Sequence, residues 1–249
     1  MNKRIAQLLP VILLLAFTVP AFGQSAAKAA YDPPSTGWSV FAGHNAFWTD
    51  SIPSETLKKI WEFHRAGEQI KSVSYSPTGG LVILMGRNGF WASNVRKELV
   101  TILSTLNERK QEIKAVSFTA LGGFVVLFDR NGFYAKDTPT SAIKALDEAN
   151  NAGEEIKSIA FTPLGGFALI RNRNDFTTRD IPQAALAKLW EFYRAGEEIK
   201  ATAFTRDGGF VILRGFNGFW AENVPQPALA KLWEFYRSSM EIKSISFVF

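Results

Sequence analysis

Hydrophobic and polar positions repeat along the chain with a period of 43 residues, from residue 35 to the C terminus. Paired glycines, asparagines and phenylalanines return at the same interval, and no insertion or deletion breaks the register. Self-similarity at a fixed period of this size is the signature of repeat architectures. The pattern therefore predicts several copies of one structural unit. The clearest marker is a lysine in each copy: Lys71, Lys114, Lys157, Lys200 and Lys243.

The last complete copy, residues 200–242, predicts the elements of one unit. Alternating residues 200–205 and the apolar run 210–213 suit two strands joined by a glycine turn. Asn217-Gly218 predicts a two-residue type I′ hairpin turn into a third strand, because such a turn needs positive φ at both central residues. A helix with one buried stripe follows, since apolar residues recur at helical spacing. These residues are Leu229, Leu232, Trp233 and Tyr236.

The two ends of the repeat region are complementary parts of one unit. Residues 243–249 form a lone first strand, whereas the repeat begins at Ser35, in the turn before a second strand. A ring explains this phase, because the C-terminal strand completes the first unit and leaves no exposed sheet edge. The predicted fold is one α/β propeller-like toroidal domain, 35–249, of five strand-strand-strand-helix units. The units are 243–249 with 35–70, then 71–113, 114–156, 157–199 and 200–242.

The first strand and turn of each copy, as in Ile70–Gly79, resemble those of a WD40-type propeller blade, and the period is similar. The copies lack the Gly-His and Trp-Asp signatures and have a helix where that family has a fourth strand. Taken from Ser35, the order ββαβ is similar to the pentein propellers. Pentein catalysis requires a cysteine, and this chain has none. Lectins of the tachylectin type resemble it in having five units.

The N terminus has the pattern of a secretory signal. Lys3 and Arg4 precede an apolar run from Ile5 to Phe22, and small residues suit cleavage after Gly23. We therefore expect a signal peptide at 1–23, a flexible leader at 24–34, and a secreted or periplasmic mature protein. No later segment has the roughly 20 apolar residues needed to span a bilayer. We expect no stable membrane insertion after signal cleavage.

Charge and residue content argue against several functions. The 28 Lys and Arg exceed the 23 Asp and Glu by only 5, which is too small a balance to predict nucleic-acid binding. The chain has no cysteine and only 2 histidines, so neither a nucleophile nor a metal-ligand cluster is recognisable. The sequence predicts no cofactor, no metal and no enzymatic activity.

The turn before the third strand is one candidate ligand site. It places aromatic rings beside asparagine and arginine donors, which is how proteins hold sugar rings. The alternative is that the asparagines serve the turn and the rings serve packing. The candidate residues are Asn45, Trp48, Arg87, Asn88, Trp91, Arg130, Asn131, Tyr134, Asn217 and Trp220.

The repeated lysines are a second candidate site. If the first strands are innermost, these five lysines ring one mouth of a central channel and attract an anion. The alternative is a structural role, because a glutamate two residues before four of the lysines can pair with them. These glutamates are Glu112, Glu155, Glu198 and Glu241.

A third candidate is an arc of aromatic residues on three helices that a ring makes neighbours. Two other helices have Ser104 and Asp147 where these have tryptophan, so the fold does not require an aromatic ring there. We expect these rings to be partly exposed and to form a protein interface. The residues are Trp61, Phe63, Trp190, Phe192, Trp233 and Phe235.

These features together predict an exported, non-catalytic binding or adhesion module whose partner is a protein or a glycan. The first hypothesis is carbohydrate binding through the repeated asparagine turns. The alternative is a scaffold or inhibitor that holds one protein on the aromatic arc. An enzyme with its site in the central channel is the third hypothesis.

Overall fold

The structure is a computed structural model that describes residues 37–248. The predicted signal peptide (1–23) and leader (24–34) lie outside the described residues. Within residues 37–248, no helix is both long enough and apolar enough to cross a membrane.

The described residues contain fifteen strands and five helices. The helices, each 12 residues long, are α1 Ser54–Arg65, α2 Lys97–Glu108, α3 Thr140–Asn151, α4 Gln183–Arg194 and α5 Gln226–Arg237. The strands are β1 Trp38–Ala42, β2 Ala46–Asp50, β3 Ile70–Tyr75, β4 Leu81–Met85, β5 Gly89–Ser93, β6 Ile113–Phe118, β7 Phe124–Phe128, β8 Gly132–Lys136, β9 Ile156–Phe161, β10 Phe167–Arg171, β11 Asp175–Arg179, β12 Ile199–Phe204, β13 Phe210–Arg214, β14 Gly218–Glu222 and β15 Ile242–Phe247.

Each sheet has three antiparallel strands in the order first, second, third, and a helix follows the third strand. The five predicted strand-strand-strand-helix units are therefore confirmed, although each first strand begins one residue before the predicted bound, at Ile70, Ile113, Ile156, Ile199 and Ile242. In the structure a unit is one sheet with the helix that follows it, and the glutamate or glutamine directly before the first strand belongs to that unit. β3, which follows α1, lies in the sheet of β4 and β5 and not in that of β1 and β2. A ββαβ grouping within one sheet is therefore not what the chain forms.

The first unit is built from both ends of the chain. β15 pairs with β1, and Trp38 lies opposite Phe247. A hydrogen bond that other units form at the turn before the second strand also joins the two chain ends: Val248 N donates to Gly37 O at 2.7 Å, as Thr205 N donates to Gly209 O at 2.8 Å within the fifth unit. The predicted completion of the first unit by the C-terminal strand is confirmed.

The paired glycines are required by this turn. Gly208 has φ of +80°, a conformation that side chains with a Cβ rarely adopt. A Cβ on Gly209 would lie 2.0 Å from the carbonyl oxygen of Asn223, so the second glycine allows the end of the third strand to approach closely. Four units have the pair, and in the first unit Gly37 alone makes the close approach, where a Cβ would lie 2.2 Å from Ser51 O.

The turn before the third strand differs from the prediction. Arg214 pairs with Gly218, which leaves a three-residue loop, and the positive φ falls on Gly215 at 51°. Asn217-Gly218 is therefore not a type I′ turn. The physical reason is that the Asn217 amide is used elsewhere: its Nδ2 donates to Tyr236 O at the end of α5, over 3.0 Å.

The hydrophobic core lies between units. Leu189 and Phe192 of α4 pack with Phe204 and Ile212 of the following unit. In the same way, α5 of the fifth unit packs against Trp38 and its neighbours in the first unit. Each of the five core clusters combines two consecutive units, because one thin sheet and one helix cannot bury their own apolar faces.

Candidate functional site

A β-bulge presents each of the repeated lysines. In the second unit, Ile70 pairs with Met85 and Ser72 pairs with Leu84, so Lys71 is the extra residue between them. Bulges redirect side chains out of the regular alternation of a strand. The corresponding register shift occurs at all five lysines, in β3, β6, β9, β12 and β15.

The five lysines line one cavity of about 290 Å³, which we call the lysine mouth. Four of the five ammonium groups, those of Lys71, Lys114, Lys157 and Lys200, reach the next unit. Lys71 Nζ donates to Ile113 O at 2.7 Å, and Lys200 Nζ donates to Ile242 O at 3.1 Å. The lysines therefore connect the first strands of consecutive units. The residues of the mouth are Lys71, Lys114, Lys157, Lys200 and Lys243 with Ser72, Ala115, Ser158, Ala201, Glu241 and Ser244.

Four glutamates pair with these lysines, but not with the lysine two residues ahead in their own strand. Glu198 pairs with Lys157 of the preceding unit at 2.7 Å. The same pairing between units joins Lys71 to Glu112, Lys114 to Glu155 and Lys200 to Glu241. The lysine Nζ hydrogen bond holds the pKa of Glu198 below its ordinary value. The expected ion pairs are thus links between neighbouring units.

The fifth lysine departs from this pattern. The next unit has Gln69 where the others have glutamate. Within residues 37–248 Lys243 has no ion pair, and its Nζ donates only to His44 O at 3.3 Å. Burial lowers the pKa of Lys243, and Lys200 nearby lowers it further, while Glu241 opposes the shift. Burial likewise lowers the pKa values of Lys71 and Lys114.

A second, smaller cavity of about 140 Å³ is lined by the first strands of all five units. It shares Ser72, Ala115 and Ser158 with the lysine mouth, so the two cavities are adjacent. The Ser72 and Ser158 hydroxyl groups are buried and have no hydrogen-bond partner among the described residues. An aromatic residue from each unit lines the cavity: Tyr75, Phe118, Phe161, Phe204 and Phe247.

Tyr75 is the one polar member of this aromatic set. Its hydroxyl donates to Ser39 Oγ at 3.2 Å, and burial raises its pKa to about 12. Ser39 is fully buried on the preceding unit. The four other interfaces have phenylalanine at the tyrosine position and Val or Ala at the serine position. Both partners of the Tyr75–Ser39 hydrogen bond therefore differ from the apolar pair that the other four interfaces have.

The asparagines of the predicted ligand site are engaged in the fold. Each Nδ2 donates to a carbonyl oxygen near the end of the helix in the same unit, over 3.0–3.1 Å. Each of these carbonyls also accepts a backbone N–H, as His64 O does from Gly67 N, so the asparagine is a second donor that ties the turn to the helix end. The donors are Asn45, Asn88, Asn131, Asn174 and Asn217. Arg130 Nε donates similarly to Gly153 O, at 3.4 Å, and no such bond holds the Arg87 side chain among the described contacts.

The second aromatic residue of the third strand contacts a lysine on the preceding helix. Lys188 Nζ lies 3.7 Å from the ring centroid of Trp220, and Lys231 Nζ lies 3.9 Å from that of Trp48. Lys59 is more distant from Trp91, at 5.8 Å. In the third and fourth units, Tyr134 and Thr177 stand at the position of this ring. The helices before them have Ile102 and Ala145 in place of the lysine. These rings therefore form cation–π contacts between units.

The aromatic arc, defined by Trp61, Trp190 and Trp233, is about half exposed, at 43–44% of each residue. Each indole packs edge-to-face on a phenylalanine of its own third strand, with centroids 4.9 Å apart. Tyr193 and Tyr236 add exposed rings beside two of them. The arc is held in place by packing and still presents apolar area to solvent.

The phenylalanines assigned to the same surface are placed differently. Phe192 and Phe235 are 4% and 5% exposed and belong to the core between units, so they cannot form an accessible surface. Phe63 is half-buried against the neighbouring core. Their position in the helix points them at the next unit, which the helix pattern of a single unit does not reveal.

Where tryptophan is absent, asparagines connect the helix to the third strand. Asn107 Nδ2 donates to Asn88 O and Asn88 Nδ2 donates to Asn107 O, each at 3.0 Å. Asn131 and Asn150 form the same reciprocal pair. In the units of α2 and α3 the asparagine bonds therefore run in both directions, whereas in the units of the aromatic arc only the asparagine of the turn donates.

Sequence reasoning missed Lys59, Lys188 and Lys231. Their signal was present: lysine occurs at this helix position only where the next unit has tryptophan on its third strand. Within residues 37–248, no group of three or more His, Asp or Glu side chains could hold a metal ion. Comparison with family models, curated proteins and solved structures found no match to this chain.

Proposed function

We propose that the five units close into a toroid around the lysine mouth. Three observations support the closure. β15 completes the sheet of β1 and β2, the core of the fifth unit continues into the first, and both cavities are lined by all five first strands. The interface between the fifth and first units uses the same lysine-to-carbonyl bond as the interface between the second and third.

We propose that the protein is an exported, non-catalytic binding module that binds a glycan chain on the aromatic arc. The observation that carries the proposal is the equivalence of the three tryptophans. Their exposures agree within 1% and their ring-to-phenylalanine distances are equal. A polysaccharide presents the same ring repeatedly, so it can occupy several identical platforms at once and gain avidity.

The surroundings of each tryptophan also suit a sugar. The residue after each tryptophan is a glutamate that pairs with a lysine of the same helix. The pairs are Glu62 with Lys59, Glu191 with Lys188, and Glu234 with Lys231. Sugar recognition combines an aromatic plate with nearby hydrogen-bonding groups. The carbohydrate hypothesis is therefore retained, but its site is moved. The asparagine turns, whose amides bond helix ends, are replaced by the arc.

The export proposal depends on residues 1–23 and places the protein in the periplasm or outside the cell. Cell fractionation tests it, together with N-terminal sequencing of the mature chain. We expect the mature protein outside the cytoplasm, beginning at Gln24. A chain that retains Met1 and fractionates with the cytoplasm would refute this part.

Binding is tested on an array of defined oligosaccharides with the whole mature protein and with Trp→Ser variants at positions 61, 190 and 233. Serine is chosen because Ser104 occupies this position in the second unit. Each substitution removes a ring pair worth about 0.5–1.5 kcal/mol in addition to the buried part of the indole, and each kcal/mol lowers Tm by about 2–4 °C. We expect folded variants whose glycan retention falls stepwise with each tryptophan removed.

The matched control is Leu121→Ser with Leu164→Ser. These leucines are the most exposed large apolar residues, at 92% and 95%, and lie in turns away from the arc. The control should bind glycan as the parent does. A parent that binds no sugar chain, or a triple variant that binds as well as the parent, would overturn the proposal.

A protein partner is the second candidate for the same surface, and one observation favours it. Exposed aromatic area continues beyond the arc, because Trp220 and Trp48 are 38% and 50% exposed and contact the lysines of α4 and α5. A continuous apolar surface is typical of protein interfaces. Loss of protein capture in the triple variant, without any glycan binding by the parent, would favour this candidate.

A further inference from the structure

The lysine mouth contains more positive than negative charge, and the excess is localised. Five lysines line it, and four glutamates pair with them between units. The missing carboxylate is at the interface between Lys243 and the next unit, where Gln69 stands. One ammonium group thus lies in a partly enclosed cavity without an ion pair among the described residues; Glu241, the nearest carboxylate named there, is paired with Lys200.

Lys243 also has more unused hydrogen-bond donors than Lys71. An ammonium group has three donors. Lys71 uses three acceptors, at Arg87 O, Glu112 and Ile113 O. Lys243 has only His44 O, at 3.3 Å. At least two of its donors are therefore available within the described part of the chain.

The cavity supplies further polar groups beside this lysine. Lys200 is near enough to lower the pKa of Lys243, so the two positive charges repel each other across the mouth. Ser72, on the strand next to β15, has a buried hydroxyl without a partner. An anion placed among these groups would neutralise the repulsion and accept the free hydrogen bonds.

We propose that the lysine mouth is a binding site for a tetrahedral oxyanion, a phosphate or sulfate group, held by Lys243 with Lys200 and the Ser72 hydroxyl. Several donors arranged around a small cavity match the multiple acceptor oxygens of such a group. The group is either a free ion or the charged terminus of a larger molecule. This site is separate from the aromatic arc and does not depend on the glycan proposal.

Isothermal titration of the whole mature protein with inorganic phosphate and with sulfate tests the site. We expect saturable binding with one ion per chain. The decisive variant is Gln69→Glu, which builds at this interface the ion pair that the other four already have. It should fold as the parent does and weaken phosphate binding by about tenfold or more.

The opposite change is Glu112→Gln, which removes the carboxylate that pairs with Lys71 while its bonds to Arg87 O and Ile113 O remain. This variant should bind phosphate more tightly than the parent or take up a second ion. Glucose 6-phosphate as a second probe separates the two sources: binding of inorganic phosphate alone indicates a free ion, and tighter binding of the ester indicates a charged terminus.

Two results would overturn the proposal. One is the absence of saturable binding of phosphate or sulfate at millimolar concentration. The other is a Gln69→Glu variant, shown to be folded by its melting curve, that binds phosphate as well as the parent. The arc variants should leave phosphate binding unchanged, so failure of this site and failure of the glycan proposal are distinguishable.

Discussion

Removal of the C-terminal strand, residues 243–249, should unfold the protein or make it aggregate. Ile245 and Phe247 of β15 are buried between the first unit and its neighbours. The deletion also removes the pairing partner of β1, which leaves a bare sheet edge. Such an edge invites pairing with other chains.

The magnitude follows from these contacts. Burial of two such side chains contributes about 1.5–3 kcal/mol each. The Ser244 and Ser246 hydroxyl groups donate to the carbonyl oxygens of Lys71 and Val73, and each such bond contributes about 0.5–1.5 kcal/mol. The summed loss, about 4–9 kcal/mol, is comparable with the whole free energy of unfolding of a typical domain, about 5–15 kcal/mol.

Thermal melting followed by circular dichroism, with size-exclusion chromatography, measures the outcome. The matched control is a circular permutant that joins Phe249 directly to Ser35 and opens the chain between Gly196 and Glu197. The permutant retains every strand. Its new peptide bond connects the two chain ends where Val248 N already bonds Gly37 O. We expect the permutant to melt cooperatively near the parent and the truncation not to. A soluble, monomeric truncation with the parent's Tm would refute the reasoning.

Two further predictions concern contacts between units. Tyr75→Phe should lower the free energy of unfolding by about 1–3 kcal/mol by leaving the Ser39 hydroxyl unsatisfied, and adding Ser39→Val should restore it, as measured by urea unfolding. Since the folded protein keeps the Tyr75 proton to about pH 12 and the unfolded chain loses it near 10.0, stability should fall between these pH values; Tyr75→Phe should reduce that fall. A double-mutant cycle of Lys188→Met and Trp220→Leu should give a coupling of about 0.5–2 kcal/mol, exceeding that of Lys59 with Trp91; equal couplings would contradict a distance-dependent cation–π contact.

The helices with tryptophan and the helices without it are joined to their third strands by different contacts. Asn107 and Trp190 are not at equivalent positions, yet each helps join a helix to the third strand of its own unit, by a reciprocal amide pair or by an edge-to-face ring contact. Comparison of the copies found the tryptophans and the polar helices. It did not show that Phe192 faces the next unit, because the direction of a helix face is set by what packs against it.

The amino-acid sequence by itself determined the unit and its number. Local patterns specify strands, turns and helices, and an unbroken period transfers one assignment to every copy. The repeat pattern also predicted that residues 243–249 are a first strand, and the structure pairs β15 with β1. The glycine pair at 208–209 was recognisable as a turn, because glycine readily adopts the positive φ that tight turns need.

Only the tertiary structure decided which partners the repeated polar residues have. Glu198 bonds the lysine of the preceding unit, Asn217 bonds the end of α5, and the turn before β14 takes its positive φ at Gly215. Each of these depends on distances between elements far apart in the chain or in another unit. A period gives the order of the units, but the contacts between them follow from how the units pack, and packing is a property of two surfaces rather than of one repeat.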